Sequence, residues 1–325
     1  MATDDRRRRT RRHARFPVTI VLLIAVAVVA GLVGTSSKIG PLSTAPSTAG
    51  VPLDPSTFAT GACMAFGPTR GDNHKTVFLD AGHGGIDPGG VGTTQSGASV
   101  DESTVNPAIE FDATAILRAH GYLVVVSRTA NTTVLRLGPV DTDSGVLSIQ
   151  GSHDDVVARD TCANLAKADA LVGIYMDTGG SPQNAGSVTL YDTARPFAAA
   201  NQRLAGLVQS DVLAAMNAQG WQVPDDGTLP DSGFGSSVGD ASAGGLAAAS
   251  ASYDHLLLIG PALSGYFSTP SLMPGAVTEP LYLTDPFEGS IAASSVDQEI
   301  IARGVAAAVE QFLGPPPAAT TTTAG

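Results

Sequence analysis

The segment Thr76–Gly90, TVFLDAGHGGIDPGG, limits what this chain can become more than any other stretch. Thr76–Leu79 are β-branched, aromatic or aliphatic and read as a short buried strand. The character then changes abruptly. Asp80, Gly82, His83, Gly84, Gly85, Asp87, Gly89 and Gly90 follow in quick succession. Glycine lets a backbone turn through positive φ and approach a bound group closely. Layered α/β sheets bind ligands at the carboxyl ends of their strands. An imidazole held between glycines there is placed to meet an ion or a ligand. The same pattern also describes a Gly-rich turn carrying one surface imidazole.

Glu102 follows in VDESTVNPAIEFDATAILRAHGY. Val105, Ile109, Ala113, Ile116 and Leu117 mark one face of a helix. Asn106 and Pro107 are its expected N-cap and first residue. Glu102 then falls just ahead of the helix, beside the His83 loop. A carboxylate in that place also serves as an ordinary dipole-compensating charge.

Together the two motifs resemble the zinc-dependent N-acetylmuramoyl-L-alanine amidases, which are cell-wall hydrolases. Asp80-Ala81-Gly82-His83-Gly84-Gly85 matches that family's D-x-G-H-G-G signature, whose histidine is the first zinc ligand. Glu102 with Val105-Asn106 matches the second ligand and its flank. The resemblance runs from about Val77 to Leu313 and continues through Arg159 and the Ala163-Asn164 to Ala168-Asp169 frame. In Val172-Gly173-Ile174-Tyr175-Met176-Asp177, Tyr175 stands where the family has its third zinc histidine. Three replacement ligands are open: Tyr175 itself as a phenolate, Asp177 on the same strand face, and His153 from an inserted loop. Val277-Thr278-Glu279-Pro280-Leu281 matches the family's run around its catalytic glutamate. Glu279 is the only charge in that apolar strand, and a lone buried carboxylate is costly unless paired or used. The plainer reading is an edge-strand glutamate facing water beside Pro280. Glu288 reads as a capping or surface residue, and His13, His74, His120 and His255 as ordinary imidazoles.

The resemblance implies a Zn2+ cofactor on His83 and Glu102, which lowers the pKa of a bound water to about 7. Glu279 would take that water's proton and return it to the leaving amine. The implied substrate is the amide between N-acetylmuramic acid and L-alanine in peptidoglycan. Tyr175 supports a second reading: a degenerate amidase domain that binds peptidoglycan, or a cell-wall enzyme, and regulates without cutting. An acidic envelope domain with no site is a third, against which the lone Glu279 speaks.

Charge is distributed unevenly. Seven arginines lie within the first 15 residues, leaving 11 Lys and Arg against 28 Asp and Glu beyond residue 34. So acidic a body has no electrostatic footprint for nucleic acid. Phe16–Val33 is an apolar run preceded by those arginines and reads as a membrane segment with its N-terminus in the cytoplasm. A cleaved signal peptide is the competing reading. Either way the body is expected outside the cytoplasmic membrane, where Cys63 and Cys162 are free to form a disulfide.

The expected organisation is a basic segment 1–15, a transmembrane anchor or signal sequence 16–34, a Ser/Thr/Pro-rich linker 35–55, an amidase-like domain 56–314 and a disordered tail 315–325. Strands are predicted at Thr76–Leu79, Tyr122–Ser127, Ala170–Tyr175, Ser187–Tyr191, His255–Ile259 and Ala276–Leu283. Helices are predicted at Pro107–His120, Asp155–Ala168, Pro196–Gln219 and Val296–Leu313. Arg128–Asp154 reads as an inserted loop and Trp221–Ser250 as a loop long enough to form a flap. Strands alternating with helices give the α/β class: a single layered domain, a twisted, mostly parallel sheet of about six strands, helices on both faces, and one transmembrane helix ahead of it.

Overall fold

Short runs of Val, Leu, Ile and Phe without polar interruption build the centre of a sheet in the computed structural model, which describes residues 49–232 and 252–314. These runs are β3 (Thr76–Ala81), β6 (Leu123–Arg128), β9 (Ala170–Ile174) and β12 (Gly275–Glu279). They lie in the order β6-β3-β9-β12 and are parallel. Both faces are covered, which is why apolar residues point to both sides, with the polar Asp80, Ser127, Arg128 and Glu279 towards the carboxyl ends.

The sheet extends on both sides. β2 (Ala62–Phe66) pairs antiparallel with β6, and β1 (Val51–Pro52) with β2. On the other side β10 (Ser187–Tyr191) runs antiparallel to β12 and parallel to β11 (Asp225–Pro230). Among the described residues the sheet therefore has eight strands, not about six, and it is mixed outside its central four. Two small hairpins, β4 (Val91–Thr93) with β5 (Ser99–Asp101) and β7 (Thr142–Asp143) with β8 (Val146–Leu147), stand apart from it.

Successive side chains of β3 point to opposite faces. Val77 and Leu79 join one core, with α1 (Glu102–Ala119), α3 (Ala198–Asn217) and α5 (Ser295–Leu313). Phe78 joins the other, against α2 (Ile149–Ala166) and Leu258, Ile259 and Met273. A short helix, α4 (Pro286–Ala292), opens at the Asp285 cap.

Several expectations change for identifiable reasons. The first helix begins at Glu102, not Pro107, because Asp101 caps it by accepting from Thr104 N–H. Pro107 is tolerated inside it. Its missing N–H would have met the Ser103 carbonyl, which accepts from Arg128 Nη2 at 3.0 Å instead. Part of the expected inserted loop is the first turn of α2, capped by Ser148. His255–Ile259 is not a strand but a run of turns, an outcome that a short apolar run alone does not exclude. β12 stops at Glu279, where Pro280 has no N–H to pair. The expected flap contains β11, and residues 233–251 lie outside the described residues. The expected membrane segment also lies outside them; among the described residues no helix is long and apolar enough to cross a membrane.

Cys63 and Cys162 form a disulfide with Cα atoms 5.6 Å apart, joining β2 to α2 across 99 positions of sequence. For a loop of that size the chain-entropy model gives about 4–5 kcal/mol, and measured values run about 2–4 kcal/mol. Reduction is therefore expected to lower the thermal midpoint substantially, measured by circular dichroism with and without reductant. Cys63→Ala/Cys162→Ala should melt like the reduced parent.

Candidate functional site at the carboxyl ends of the central strands

β3, β9 and β12 are parallel neighbours, so their carboxyl ends open on one edge of the sheet. His83 follows β3, Tyr175 and Asp177 follow β9, and Glu279 ends β12. With Glu102 from the start of α1 they line a cavity of about 280 Å³ whose apolar wall includes Leu256, Leu257 and Leu258. The structure thus gathers five of the six residues that the sequence singled out, His153 being the exception.

His83 takes φ 60, a conformation uncommon for a residue with a side chain. Two buried arginines hold it there. Arg159 Nη1 donates to Asp80 Oδ1 at 2.7 Å and to the Ala81 carbonyl at 2.8 Å, and Nη2 donates to the His83 carbonyl at 2.9 Å. Arg128 donates to the carbonyls of Ala81 and Gly82. His83 Nδ1 lies 2.9 Å from Asp87 Oδ2, and Nε2 lies 3.5 Å from Glu102 Oε2. Burial opposes the imidazolium, yet the hydrogen bond to Asp87 and the charge of Glu102 outweigh it, so the His83 pKa is raised.

Glu102 is fixed by backbone. Gly90 N–H donates to Oε1 at 2.7 Å and Met176 N–H to Oε2 at 2.9 Å. A Cβ on Gly90 would sit 2.2 Å from the Thr178 side chain, so only glycine lets this strand-to-helix crossing close. Burial raises the Glu102 pKa against these bonds and against His83. Glu279 faces the cavity half-buried, its carboxyl pushed up to about 8 by burial and then by the charges of Asp177 and Glu102. Asp177 is engaged by the Tyr282 hydroxyl and by Thr178 N–H at 2.6 Å.

Tyr175 points away from a metal role. Its hydroxyl donates to Asp80 Oδ2 at 3.0 Å, and its ring meets the His83 ring edge-on at 5.4 Å. Burial, and then the negative charge of Asp80, hold its pKa well above the usual tyrosine value, so the phenolate is strongly disfavoured. His153 is not brought to the cavity: it lies buried on α2 with its ring nitrogens at Asp154 and the Tyr266 carbonyl.

A catalytic zinc takes three protein ligands and leaves one position open. His83 and Glu102 supply two donors, and the hydrogen bond that the far ring nitrogen, Nδ1, donates to Asp87 is the usual support for a metal-binding imidazole. Among the described residues, the grouping of three His, Cys, Asp or Glu donors within 4.8 Å of one another lies elsewhere, at Asp192, Asp231 and His255. Tyr175 is held by Asp80, and Asp177, which shares the cavity, is engaged by Tyr282 and Thr178.

Sequence reasoning missed Glu110, whose Oε1 accepts from Ala81 N–H, and misplaced Glu288, which is buried and accepts from the N–H groups of Gly186 and Tyr282. Glu110 lies three positions before Ala113 and seven before Leu117, the spacing of the helix's apolar face, a signal that it too faces inward.

The sequence profile of the N-acetylmuramoyl-L-alanine amidase family matches residues 77–311. Comparison with curated protein sequences finds no match. Among solved structures, the CwlD amidase from Clostridioides difficile, determined in complex with the GerS lipoprotein, is 18% identical, with 74% of this chain and 98% of that chain covered and a TM-score of 0.51. The amidase AmiC2 of Nostoc punctiforme is 20% identical over 75% of this chain and 100% of its own, with a TM-score of 0.49. At these identities the first likeness bears on fold alone, and the second carries nothing further.

Two outcomes are expected. Tyr175→Phe leaves Asp80 Oδ2 buried without its donor and should cost about 1–3 kcal/mol, read by urea unfolding. Glu110 is pushed up to about 8 by burial, with the Asp80 charge adding and Arg128 opposing, from an ordinary value of 4.5. The folded state therefore keeps a proton that the unfolded chain loses, and this stabilisation is full below about 4.5 and lost as pH rises towards 8. Glu110→Gln should flatten that decline in denaturant titrations at pH 5 and pH 8. Some slope remains, because Glu279 and Glu288 are shifted in the same direction.

Proposed function

The chain belongs to the N-acetylmuramoyl-L-alanine amidase family, and from that premise we propose that its cleft engages the muramoyl–peptide junction of peptidoglycan without zinc-dependent hydrolysis. The observation that carries this reading is the hydrogen bond from the Tyr175 hydroxyl to Asp80, in the place where the family's third metal ligand is expected. Two donors without a third hold zinc weakly, since affinity follows ligand number and charge. The cleft retains the other parts of a recognition site: a concave cavity, an apolar leucine wall and convergent polar groups. At neutral pH Glu279 is largely protonated and can donate a hydrogen bond to a bound carbonyl or hydroxyl.

The acidic body lies outside the cytoplasmic membrane in this proposal, tethered through residues 16–34. The arginines ahead of that apolar run support the orientation.

A hydrolytic reading is favoured by Glu279, a carboxyl of raised pKa on the cavity wall, as a general base and acid requires. A metal, when bound, would supply polarisation of the amide and a nucleophilic water. This reading needs a third ligand that the present arrangement of side chains does not offer.

The two readings part on purified sacculi. The parent chain is expected to sediment with peptidoglycan and to release no stem peptides by mass spectrometry. Tyr175→His should gain chelator-sensitive release if the missing ligand is the deficit. Stem-peptide release by the parent that is lost in Glu279→Ala would overturn the proposal in favour of hydrolysis; failure to sediment would remove peptidoglycan as the ligand.

A further inference from the structure

We propose that Asp192, Asp231 and His255 form a second site, which takes one divalent transition-metal ion of the zinc type. Asp192 directly follows β10 and Asp231 directly follows β11, and the two strands are parallel neighbours. Their side chains are fully buried, and His255 closes over them at 20% side-chain exposure. His255 Nδ1 lies 3.0 Å from Asp192 Oδ2 and 3.2 Å from Asp231 Oδ1. The donor atoms converge within 4.8 Å of one another.

One ring nitrogen faces two carboxylate oxygens and carries at most one hydrogen between them. If that hydrogen serves Asp231, Asp192 Oδ2 is left facing the cluster, buried and without a hydrogen bond. Unpaired buried carboxylates are costly. The charge of Arg195 acts on Asp192, but its guanidinium gives Asp192 Oδ2 no hydrogen bond. Its Nη1 donates to the Gly260 carbonyl at 2.8 Å, its Nη2 donates to the Ser271 carbonyl, and among the described residues the ion pairs of Asp192 and Asp231 are both to His255. A cation in the middle would satisfy all three donors at once.

The remaining oxygens are already oriented as in a metal site. Asp192 Oδ1 accepts from the N–H groups of Ala194 and Arg195, and Asp231 Oδ2 accepts from Leu256 N–H. One imidazole and two carboxylates suit zinc, and to a lesser degree manganese or ferrous iron, better than calcium or magnesium. The ion would tie two strand ends to the segment that begins the leucine wall of the cleft, a structural role independent of whether the cleft cuts or only binds.

The test uses the full-length chain, dialysed without chelator, with zinc measured by elemental analysis. About one zinc per chain is expected in the parent and in His83→Gln, and loss of it in His255→Gln. Stripped parent and stripped His83→Gln should both gain thermal midpoint on adding Zn2+. If His255→Gln does not fold by circular dichroism, Asp192→Asn is read in its place. A parent without zinc means that a protonated His255 bridges the two carboxylates alone and overturns the proposal. So does zinc that leaves with His83→Gln or stays with His255→Gln.

Discussion

The rest of the structure depends on the ion pair between Asp80 and Arg159, both buried from water. Such a pair adds little net stability over an apolar substitute, but leaving one partner alone is severely destabilising. Here the guanidinium is saturated: it also holds Asp155 and the carbonyls of Ala81 and His83. It thereby fixes the end of β3, the angle of α2 and the left-handed turn at His83 in one act. Tyr175 completes the arrangement by donating to the second Asp80 oxygen. The residue that departs from the family's metal pattern is thus bound into the scaffold rather than left idle in the cleft.

The same economy of cations shapes the chemistry. Glu102, Asp177 and Glu279 share one cavity, with His83 the basic side chain among its lining residues. Burial raises the Glu102 pKa, and burial with the charges of Asp177 and Glu102 raises that of Glu279. Glu279, the acid of the cavity pushed up to about 8, is the one placed to donate a hydrogen bond there near neutral pH. A similar excess of acid recurs beyond β10 and β11, where one imidazole faces two carboxylates.

Much of this was legible in the sequence. The apolar runs of β3, β6 and β9 and the glycines after Asp80 specify their own conformations, and His83, Glu102 and Glu279 sit on such landmarks. What was not legible depends on partners far away in sequence. Pro107 looked like a helix start because nothing local reveals that Arg128 takes over the Ser103 carbonyl. His255–Ile259 has the composition of a strand, but Leu257, Leu258 and Ile259 are buried from turns, Leu257 against Tyr253, Tyr266 and Phe267, and Leu258 and Ile259 in the core beside α2. β1 and β2 add to the sheet through a neighbour, β6, whose availability no local pattern announces. Asp192, Asp231 and His255 lie in three unrelated stretches that only the parallel pairing of β10 and β11 brings together.

The strand order has a consequence for how the molecule comes into being. β12, residues 275–279, is inserted between β9 and β10, which lie some hundred residues earlier in the chain. Until that segment leaves the ribosome, the two halves of the sheet have no shared strand, and β9 and β10 each keep an unsatisfied edge. Pairings of such long sequence separation form slowly. The cleft is therefore completed only by a segment late in the chain, which carries its last acidic residue, Glu279.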